Sequence, residues 1–289
     1  MIPIREILVP SDLSAESELA LEHASALAHG LAAHLTLFHA VPLPDHAYPH
    51  WAFGHGHDAW VEAQEIAREC LERDITDLEP PPSAAPRVVV ERATSVPRAL
   101  LTFIRNTQPD LTVMATHGRD RLAHVLLGSV TETVFKNAFR PVLCLRQPEH
   151  GARPPYRLIL VPTDLSPASR LAFPLAALLA RTFGAKVIAM QVQATPTLGS
   201  LVGAPAGREA EIATEATLWK FVKPGFENLD LEARVQKGYV WDSIVTMARI
   251  EQADLIVMAT RGHDSLGDKI LGSNTERVVR HAPCPVLVA

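Results

Sequence analysis

The stretch that decides the fold is Ile7-Leu-Val-Pro-Ser-Asp-Leu-Ser14, because it returns almost unchanged as Ile159-Leu-Val-Pro-Thr-Asp-Leu-Ser166. A second stretch, Asp110-Leu-Thr-Val-Met-Ala-Thr-His-Gly118, returns as Asp254-Leu-Ile-Val-Met-Ala-Thr-Arg-Gly262. Self-similarity at this scale indicates a duplicated structural unit. The sequence therefore predicts two halves that are built on one plan.

The shorter repeats and the length of the chain agree with two domains. Leu127-Gly-Ser129 returns as Leu271-Gly-Ser273. The chain has 289 residues, which is about twice the size of a common domain. A breaker-rich segment, 148–155, separates the halves. We expect a first domain over 1–147, a linker over 148–155 and a second domain over 156–289.

Composition excludes several classes of protein. Hydrophobic residues make up 47% and charged residues 20%, so both domains can build a core. The net charge of −5 disfavours a nucleic-acid binder. The sequence shows neither an apolar run that could span a membrane nor a signal peptide. Three well-separated cysteines form no disulfide framework, and we expect reduced thiols in a cytoplasmic protein.

Short apolar runs alternate with helical patterns in the first half. The predicted strands are Ile4–Val9, Leu35–Val41, Arg87–Glu91, Leu111–Ala115 and Val142–Leu145. One predicted helix begins at Ser14, and its twin in the second half begins at Ser166-Pro167, since proline is favoured at the first helical position. The other predicted helices cover Asp58–Leu78, Val96–Thr107 and Ser129–Asn137. Such alternation predicts an α/β fold with a doubly wound, five-stranded parallel sheet in each domain. Ligands of these sheets bind beyond the carboxyl ends of the strands.

An aspartate follows the first strand of each half. It stands in Pro10-Ser-Asp12 and again in Pro162-Thr-Asp164. An aspartate at this edge can accept hydrogen bonds from a ligand hydroxyl or amine. The alternative is that each one caps the next turn, as Asp residues often do.

A second candidate site follows the fourth strand, where Gly128-Ser129 and Gly272-Ser273 open a helix. Glycine lets the backbone approach a phosphate, and the N–H groups and dipole of a helix start favour an anion. The hydroxyls of Ser129 and Thr131 add donors. The alternative is that Ser129-Val-Thr-Glu132 and Ser273-Asn-Thr-Glu276 are capping boxes, which need no ligand. The Walker A step Gly-Lys-Ser/Thr is absent from this region.

These motifs resemble a tandem universal stress protein with two UspA-type domains. Nucleotide-binding members of that family carry Gly-x2-Gly-x9-Gly-Ser/Thr, which corresponds here to Ala115-x2-Gly118-x9-Gly128-Ser129 and Ala259-x2-Gly262-x9-Gly272-Ser273. Both copies have alanine in place of the first glycine. The resemblance implies a Rossmann-like, adenine nucleotide alpha hydrolase-like fold. It also implies that the two domains pair through their last strands as a pseudo-dimer.

The resemblance further implies bound ATP, with Mg²⁺, at the strand ends. Asp12 and Asp164 would approach the adenine or ribose, and the backbone of Ala40 and Val192 would meet the adenine edge. The remaining nucleotide-binding residues that it implies lie where the first and the fourth strand of each half end and in the segments that follow them. They are Pro10, Ser11, Ala115, His117, Gly118, Arg119, Gly128, Ser129, Val130, Thr131, Pro162, Thr163, Ala259, Arg261, Gly262, His263, Gly272, Ser273, Asn274 and Thr275.

Histidines cluster between strands two and three, at His46, His50, His55 and His57. His55-Gly-His57 could hold Zn²⁺ or Ni²⁺, and the loop could also fold over the nucleotide site as a lid. The alternative is a solvated loop with scattered histidines, so we predict no metal site.

Three functions stay open on the sequence. The first is a cytoplasmic stress-response regulator that binds ATP and is read by a protein partner, with a homodimer left open. The second is a slow ATPase, against which the sequence offers no paired carboxylates for Mg²⁺. His117 and His263 are the nearby candidates for proton transfer. The third is a nucleotide-free scaffold for a partner or ligand. We predict the first, without a catalytic residue.

Overall fold

The computed structural model describes residues 3–42, 56–116, 128–137, 140–146, 153–194, 215–259 and 272–289. The chain divides into two compact units, whose main parts are Pro3–Gln147 and Tyr156–Ala289. We call them the first and the second domain. The predicted limits of the linker stay a prediction. In the part of the chain that the structure describes, no helix is both long and apolar enough to span a bilayer.

Five parallel strands form the sheet of the first domain. They are Glu6–Pro10 (β1), His34–Pro42 (β2), Arg87–Ala93 (β3), Leu111–Ala115 (β4) and Val142–Leu145 (β5). Their order is β3-β2-β1-β4-β5, and each neighbouring pair is parallel. The predicted strands are confirmed, β4 and β5 to the residue.

The second domain repeats this sheet. Its strands are Leu158–Pro162 (β6), Lys186–Ala194 (β7), Leu231–Gly238 (β8), Leu255–Met258 (β9) and Val286–Val288 (β10). Their order is β8-β7-β6-β9-β10, and all four pairings are again parallel. The predicted pairing of the two domains through β5 and β10 stays a prediction.

The described residues form eight α-helices. They are Ala15–Leu31 (α1), Gly56–Thr76 (α2), Val96–Thr107 (α3), Ser129–Asn137 (α4), Phe173–Phe183 (α5), Glu215–Val222 (α6), Val240–Ile250 (α7) and Ser273–His281 (α8). Parallel strands need such crossovers, which cover both faces of the sheet. The strands at the centre are accordingly apolar, and Ile7, Val113, Ile159 and Val257 are fully buried. Each such side chain stabilises the fold by roughly 1.5–3 kcal/mol.

The helix after β1 begins as predicted, but its twin does not. Ser14 is the N-cap of α1, and its side chain accepts a hydrogen bond from the Ser17 N–H. In the second domain a 3₁₀ turn over Ser169–Ala172 precedes α5, so the helix predicted to start beside Pro167 starts only at Phe173. Pro174 explains the delay, because it has no N–H for an α-helical bond to Arg170.

The strand order positions the functional site. In both domains the chain moves from the first strand to one side of the sheet and later returns to the other side, so β1 lies between β2 and β4, and β6 lies between β7 and β9. Connections that leave in opposite directions open a crevice at the carboxyl ends of the strands. The candidate residues must be sought at this edge.

Candidate functional site

Asp12 lies in a tight turn at the carboxyl end of β1. Its Oδ1 accepts from the Ser14 N–H at 3.1 Å and from the Ser14 hydroxyl at 2.5 Å. Leu13, between them, has a φ of 61°, and its N–H donates to the Ser11 hydroxyl at 3.1 Å. The turn-capping alternative for Asp12 is therefore realised, which fixes the carboxylate at the mouth of the crevice.

Asp164 lies in the same turn of the second domain. Its Oδ1 accepts from the Ser166 N–H at 3.0 Å, and Leu165 also has a φ of 61°. The Leu165 N–H donates to the Thr163 hydroxyl at 3.1 Å. The two halves therefore hold an aspartate at equivalent places by equivalent hydrogen bonds.

The backbone of β2 supplies hydrogen-bonding groups beside each aspartate. The Phe38 carbonyl accepts from the Ser11 N–H at 2.9 Å, and the Met190 carbonyl accepts from the Thr163 N–H at 2.8 Å. Because successive residues of a strand turn their backbone groups to opposite sides, Ala40 and Val192 direct theirs to the same side as Phe38 and Met190. At that level β1 and β6 have ended. These groups therefore face the crevice.

The helix starts of α4 and α8 differ from the predicted capping boxes. The Gly128 carbonyl accepts from the Glu132 N–H at 2.9 Å, which makes Gly128 the N-cap. Gly272 is the N-cap of α8 and makes no side-chain capping hydrogen bond. The capping boxes led by Ser129 and Ser273 are therefore wrong, because a glycine occupies the capping position. A glycine N-cap leaves the first N–H groups to another acceptor.

Two predicted phosphate donors have a structural partner. The Thr131 hydroxyl donates to the Ala115 carbonyl at 2.9 Å, and the Thr275 hydroxyl donates to the Ala259 carbonyl at 3.2 Å. Both threonines are buried, at 4% exposure. Their hydroxyl protons thus tie the helix start to the strand end. At this edge Ser129 and Ser273, together with the backbone, remain as donors for an anion.

His39 is a site residue that the sequence reasoning missed. Its Nδ1 lies 2.8 Å from the Ser11 carbonyl oxygen, and the ring is buried at 8% exposure. A carbonyl oxygen has no proton, so Nδ1 must donate. A polar residue within the apolar run 35–41, directly before Ala40, is the signal that could have drawn attention to it.

The structure brings most of the predicted residues together at the carboxyl edges. In the first domain these are Pro10, Ser11, Asp12, Ala40, Ala115, Gly128, Ser129, Val130 and Thr131. In the second they are Pro162, Thr163, Asp164, Val192, Ala259, Gly272, Ser273, Asn274 and Thr275. The phosphate-loop residues His117, Gly118, Arg119, Arg261, Gly262 and His263 lie outside the described residues.

The structure offers no metal centre among the residues it describes, where no group of three or more His, Cys, Asp or Glu side chains could hold an ion. The histidines of the 46–55 segment, and the side chain of His57, lie outside that part. Cys70, Cys144 and Cys284 all lie in the described part of the chain, and none of them forms a disulfide. Burial raises the pKa of the Cys144 thiol well above its ordinary value, so this side chain stays protonated and unreactive.

Comparison with known proteins identifies the family on both halves of the chain. The model of the universal stress protein family matches residues 3–146 and again residues 155–289. The chain belongs to the universal stress protein family. It is a tandem member, with one family domain in each half.

Individual relatives agree. A universal stress protein of Mycolicibacterium smegmatis is 27% identical, with 98% of this chain and 96% of the relative covered. One of Methanocaldococcus jannaschii is 36% identical over 46% of this chain and 81% of its own length. The crystal structure of a universal stress protein from Archaeoglobus fulgidus aligns with a TM-score of 0.70 and 20% identity, covering 98% of this chain and 97% of that one. This last likeness shows the fold.

Proposed function

We propose that this universal stress protein is a cytoplasmic stress-response regulator that binds ATP at the carboxyl edge of one or both domains. The observation that carries the proposal is the pair of hydrogen-bonding surfaces that each crevice presents. One is the backbone of β2 or β7 beyond the end of the neighbouring strand, and the other is a helix start with a glycine N-cap. The first suits a planar base, and the second suits a phosphate.

The helix starts support the polyphosphate end of the ligand. The N-terminus of a helix carries roughly half a positive charge, and its unpaired N–H groups point at the ligand. As glycines, Gly128 and Gly272 offer these groups no side chain of their own as a cap. Ser129 and Ser273 add a hydroxyl at the first helical position.

The aspartate turns support the nucleoside end. The hydrogen bonds from Ser14 and Ser166 hold Asp12 and Asp164 in place. A carboxylate held here can accept from a ribose hydroxyl or from an amino group. The same geometry in both domains is the reason to propose that either one can bind.

We propose binding rather than catalysis. The phosphate end that the described residues form consists of backbone N–H groups and serine hydroxyls, and neither takes a proton from water at neutral pH. Mg²⁺ would arrive on the phosphates of ATP, which are its usual ligands beside one or two carboxylates. A protein partner would read the ATP-bound form, and three cysteines that form no disulfide suit a reducing compartment.

The first experiment is to denature the purified protein and quantify the adenine nucleotide that it releases per chain. Two per chain, or one, supports the proposal with both domains or one occupied. No nucleotide, together with no thermal shift in millimolar ATP and Mg²⁺, would overturn it and favour a nucleotide-free scaffold. Release of ADP from added ATP over time would instead favour a slow ATPase.

The second experiment separates loss of binding from loss of folding. Gly272→Asp places a preferred N-capping residue on α8, which should stabilise the helix while its carboxylate repels phosphate. Gly272→Asn is the neutral control of the same shape. We expect calorimetry to show one ATP site fewer for the aspartate variant and the full count for the asparagine variant. Gly128→Asp and Gly128→Asn make the same test in the first domain.

A third pair of variants tests the nucleoside end. Asp12→Asn and Asp164→Asn keep a side-chain oxygen for the turn and remove only the charge. Alanine would remove both, since Oδ1 accepts the serine N–H in each turn. Weaker ATP binding with unchanged thermal stability would support a direct contact with the ligand.

A further inference from the structure

We propose that His39 is a positioning residue that makes the ATP site of the first domain the tighter of the two, and that Gln191 denies the second domain the same support. The inference rests on the proposed function, because it concerns the same two crevices. It names the residue that distinguishes them.

The two residues occupy equivalent places. Pro10 pairs with Phe38 and Pro162 pairs with Met190 in the strand registers. His39 and Gln191 are the next residues of β2 and β7, one step beyond the ends of β1 and β6. Each is therefore level with the residue before the turn aspartate, which is Ser11 in the first domain and Thr163 in the second.

In the first domain the residue that enters the turn, Ser11, is held through both its N–H and its carbonyl. The Ser11 N–H donates to the Phe38 carbonyl at 2.9 Å, and the Ser11 carbonyl accepts from His39 Nδ1 at 2.8 Å. The Ser11 carbonyl belongs to the peptide bond that leads into Asp12. Both hydrogen bonds come from β2, so the position of Asp12 is fixed to the sheet.

In the second domain only one of these bonds is present. The Thr163 N–H donates to the Met190 carbonyl at 2.8 Å. Within the described residues, Gln191 makes no hydrogen bond to the Thr163 carbonyl, and its Oε1 is buried without a hydrogen-bond partner. Within the described residues, β7 thus holds Thr163 through its N–H alone.

The difference acts on affinity through preorganisation. When ATP binds, ordering the site costs less free energy where Asp12 is already held in place than where Asp164 is less constrained. The loss of one hydrogen bond of this kind corresponds to roughly a three- to tenfold change in Kd. We expect the first domain to bind ATP more tightly by about that factor.

The test measures each domain with the other silenced. In the Gly272→Asp background, calorimetry with Mg²⁺-ATP reports on the first domain. His39→Leu should weaken binding roughly three- to tenfold. His39→Asn should restore it, because the asparagine Nδ2 can take the place of the histidine Nδ1. In the Gly128→Asp background, Gln191→His should tighten binding in the second domain.

A double-mutant cycle shows whether His39 acts through Asp12. Adding Asp12→Asn to His39→Leu should cost less than the sum of the two single changes, since His39 acts on binding only through the contact that Asp12 makes with the ligand. A merely structural role of His39 would instead lower thermal stability and leave the cycle additive. If His39→Leu does not fold, the ATP affinities of His39→Asn and Gln191→His still test the role of His39.

The outcomes separate the two proposals. If ATP binds neither background, the proposed function fails. If ATP binds but neither His39→Leu nor Gln191→His changes its Kd, then ATP binding stands and the role of His39 is wrong. The same conclusion follows if the second domain binds ATP more tightly than the first.

Discussion

The two domains of this universal stress protein share a sheet order, a turn and a helix start, but they differ in the polar residues placed among their apolar ones. The first domain buries His23 in α1 and Thr112 in β4, where the second has Leu175 and Ile256 at the equivalent positions. In the second domain β8 instead ends at Gly238, which lies against the side chain of Ser243. The repeated framework therefore tolerates an exchange of polar and apolar side chains at buried positions, and each exchange should have its own effect on stability.

The largest expected effect concerns His23. Burial, and then the charge of Arg153, lower its pKa to about 3 from 6.5. Between these values the unfolded chain binds the proton and the folded chain does not, so stability falls as pH falls below 6.5. Over pH 6.5 to 4 the loss is roughly 3 kcal/mol. His23→Leu, which copies the second domain, should remove this dependence.

Urea denaturation at a series of pH values measures it. The control is Leu175, which has no titrating group, so Leu175→Met should leave the slope of stability against pH unchanged. A slope in His23→Leu equal to that of the unaltered protein would show that other groups cause the acid sensitivity.

The next effect concerns Gly238, which has a φ of +156° and whose added Cβ would lie 2.5 Å from the Ser243 hydroxyl. Gly238→Ala should cost about 2 kcal/mol through strain and overlap. Ala93 stands at the matching register position, and Ala99 matches Ser243 as the fourth residue of its helix. Adding Ser243→Ala should recover the loss of stability that the steric overlap causes and leave the loss that the backbone strain at this φ causes.

Chemical denaturation of the single and double variants checks this prediction. Ala93→Gly is the matched change in the first domain, and it should cost about 1.5 kcal/mol through the backbone entropy of a glycine and the loss of one buried methyl group, without strain or overlap. Equal losses for Gly238→Ala and Ala93→Gly would contradict the difference between the two connections.

A third prediction tests what the domains share. Asp110 Oδ2 accepts the N–H groups of Arg5 and Glu6 at 2.8 and 3.1 Å. Asp254 Oδ2 accepts those of Arg157 and Leu158 at 2.7 and 2.9 Å. Removing either carboxylate takes this acceptor away from two backbone N–H groups at the start of β1 or β6. Each alanine variant should therefore lower the free energy of unfolding by about 1.5 kcal/mol.

Thermal or urea unfolding of both variants provides the comparison, with Asp77→Ala as an exposed control. The two losses should agree within about 0.5 kcal/mol, since the contacts are equivalent. A loss of stability in only one of the two variants would mean that Asp110 and Asp254 contribute differently to the stability of their domains.

The smallest effect has the opposite sign. Thr112 is buried at 1% exposure, and among the residues that the structure describes its hydroxyl has no hydrogen-bond partner. Thr112→Val keeps the shape and removes the unpaired group, so it should stabilise the first domain by about 1 kcal/mol. Thr112→Ser keeps the hydroxyl and loses the methyl, so it should destabilise. A Thr112→Val variant that is less stable than the unaltered protein would contradict this explanation.

Much of the fold could be predicted because its signals are local. The apolar run of β4 and the Val-Pro start of α3 each fixed an element to the residue, as periodicity and chain breakers do in short segments. The start of α5 could not be predicted from Ser166 and Pro167, because Pro174, seven residues further on, delays the α-helical bonds.

The candidate site divides in the same way. Repetition, together with the rule that ligands bind at the carboxyl ends of parallel strands, pointed to Asp12, Asp164 and the glycines before α4 and α8. The capping boxes failed because a sequence pattern does not say which residue becomes the N-cap, and the chain assigned that place to Gly128 and Gly272.

The sequence by itself determined that there are two domains of one fold, of one family, with an aspartate and a glycine-led helix repeated in each. The tertiary structure decided which hydroxyls and carbonyls meet. Thr131 reaches Ala115, and His39 reaches Ser11, across 16 and 28 residues of chain. Such contacts depend on strand order and register, which bring distant segments together, and no local pattern of residues encodes them.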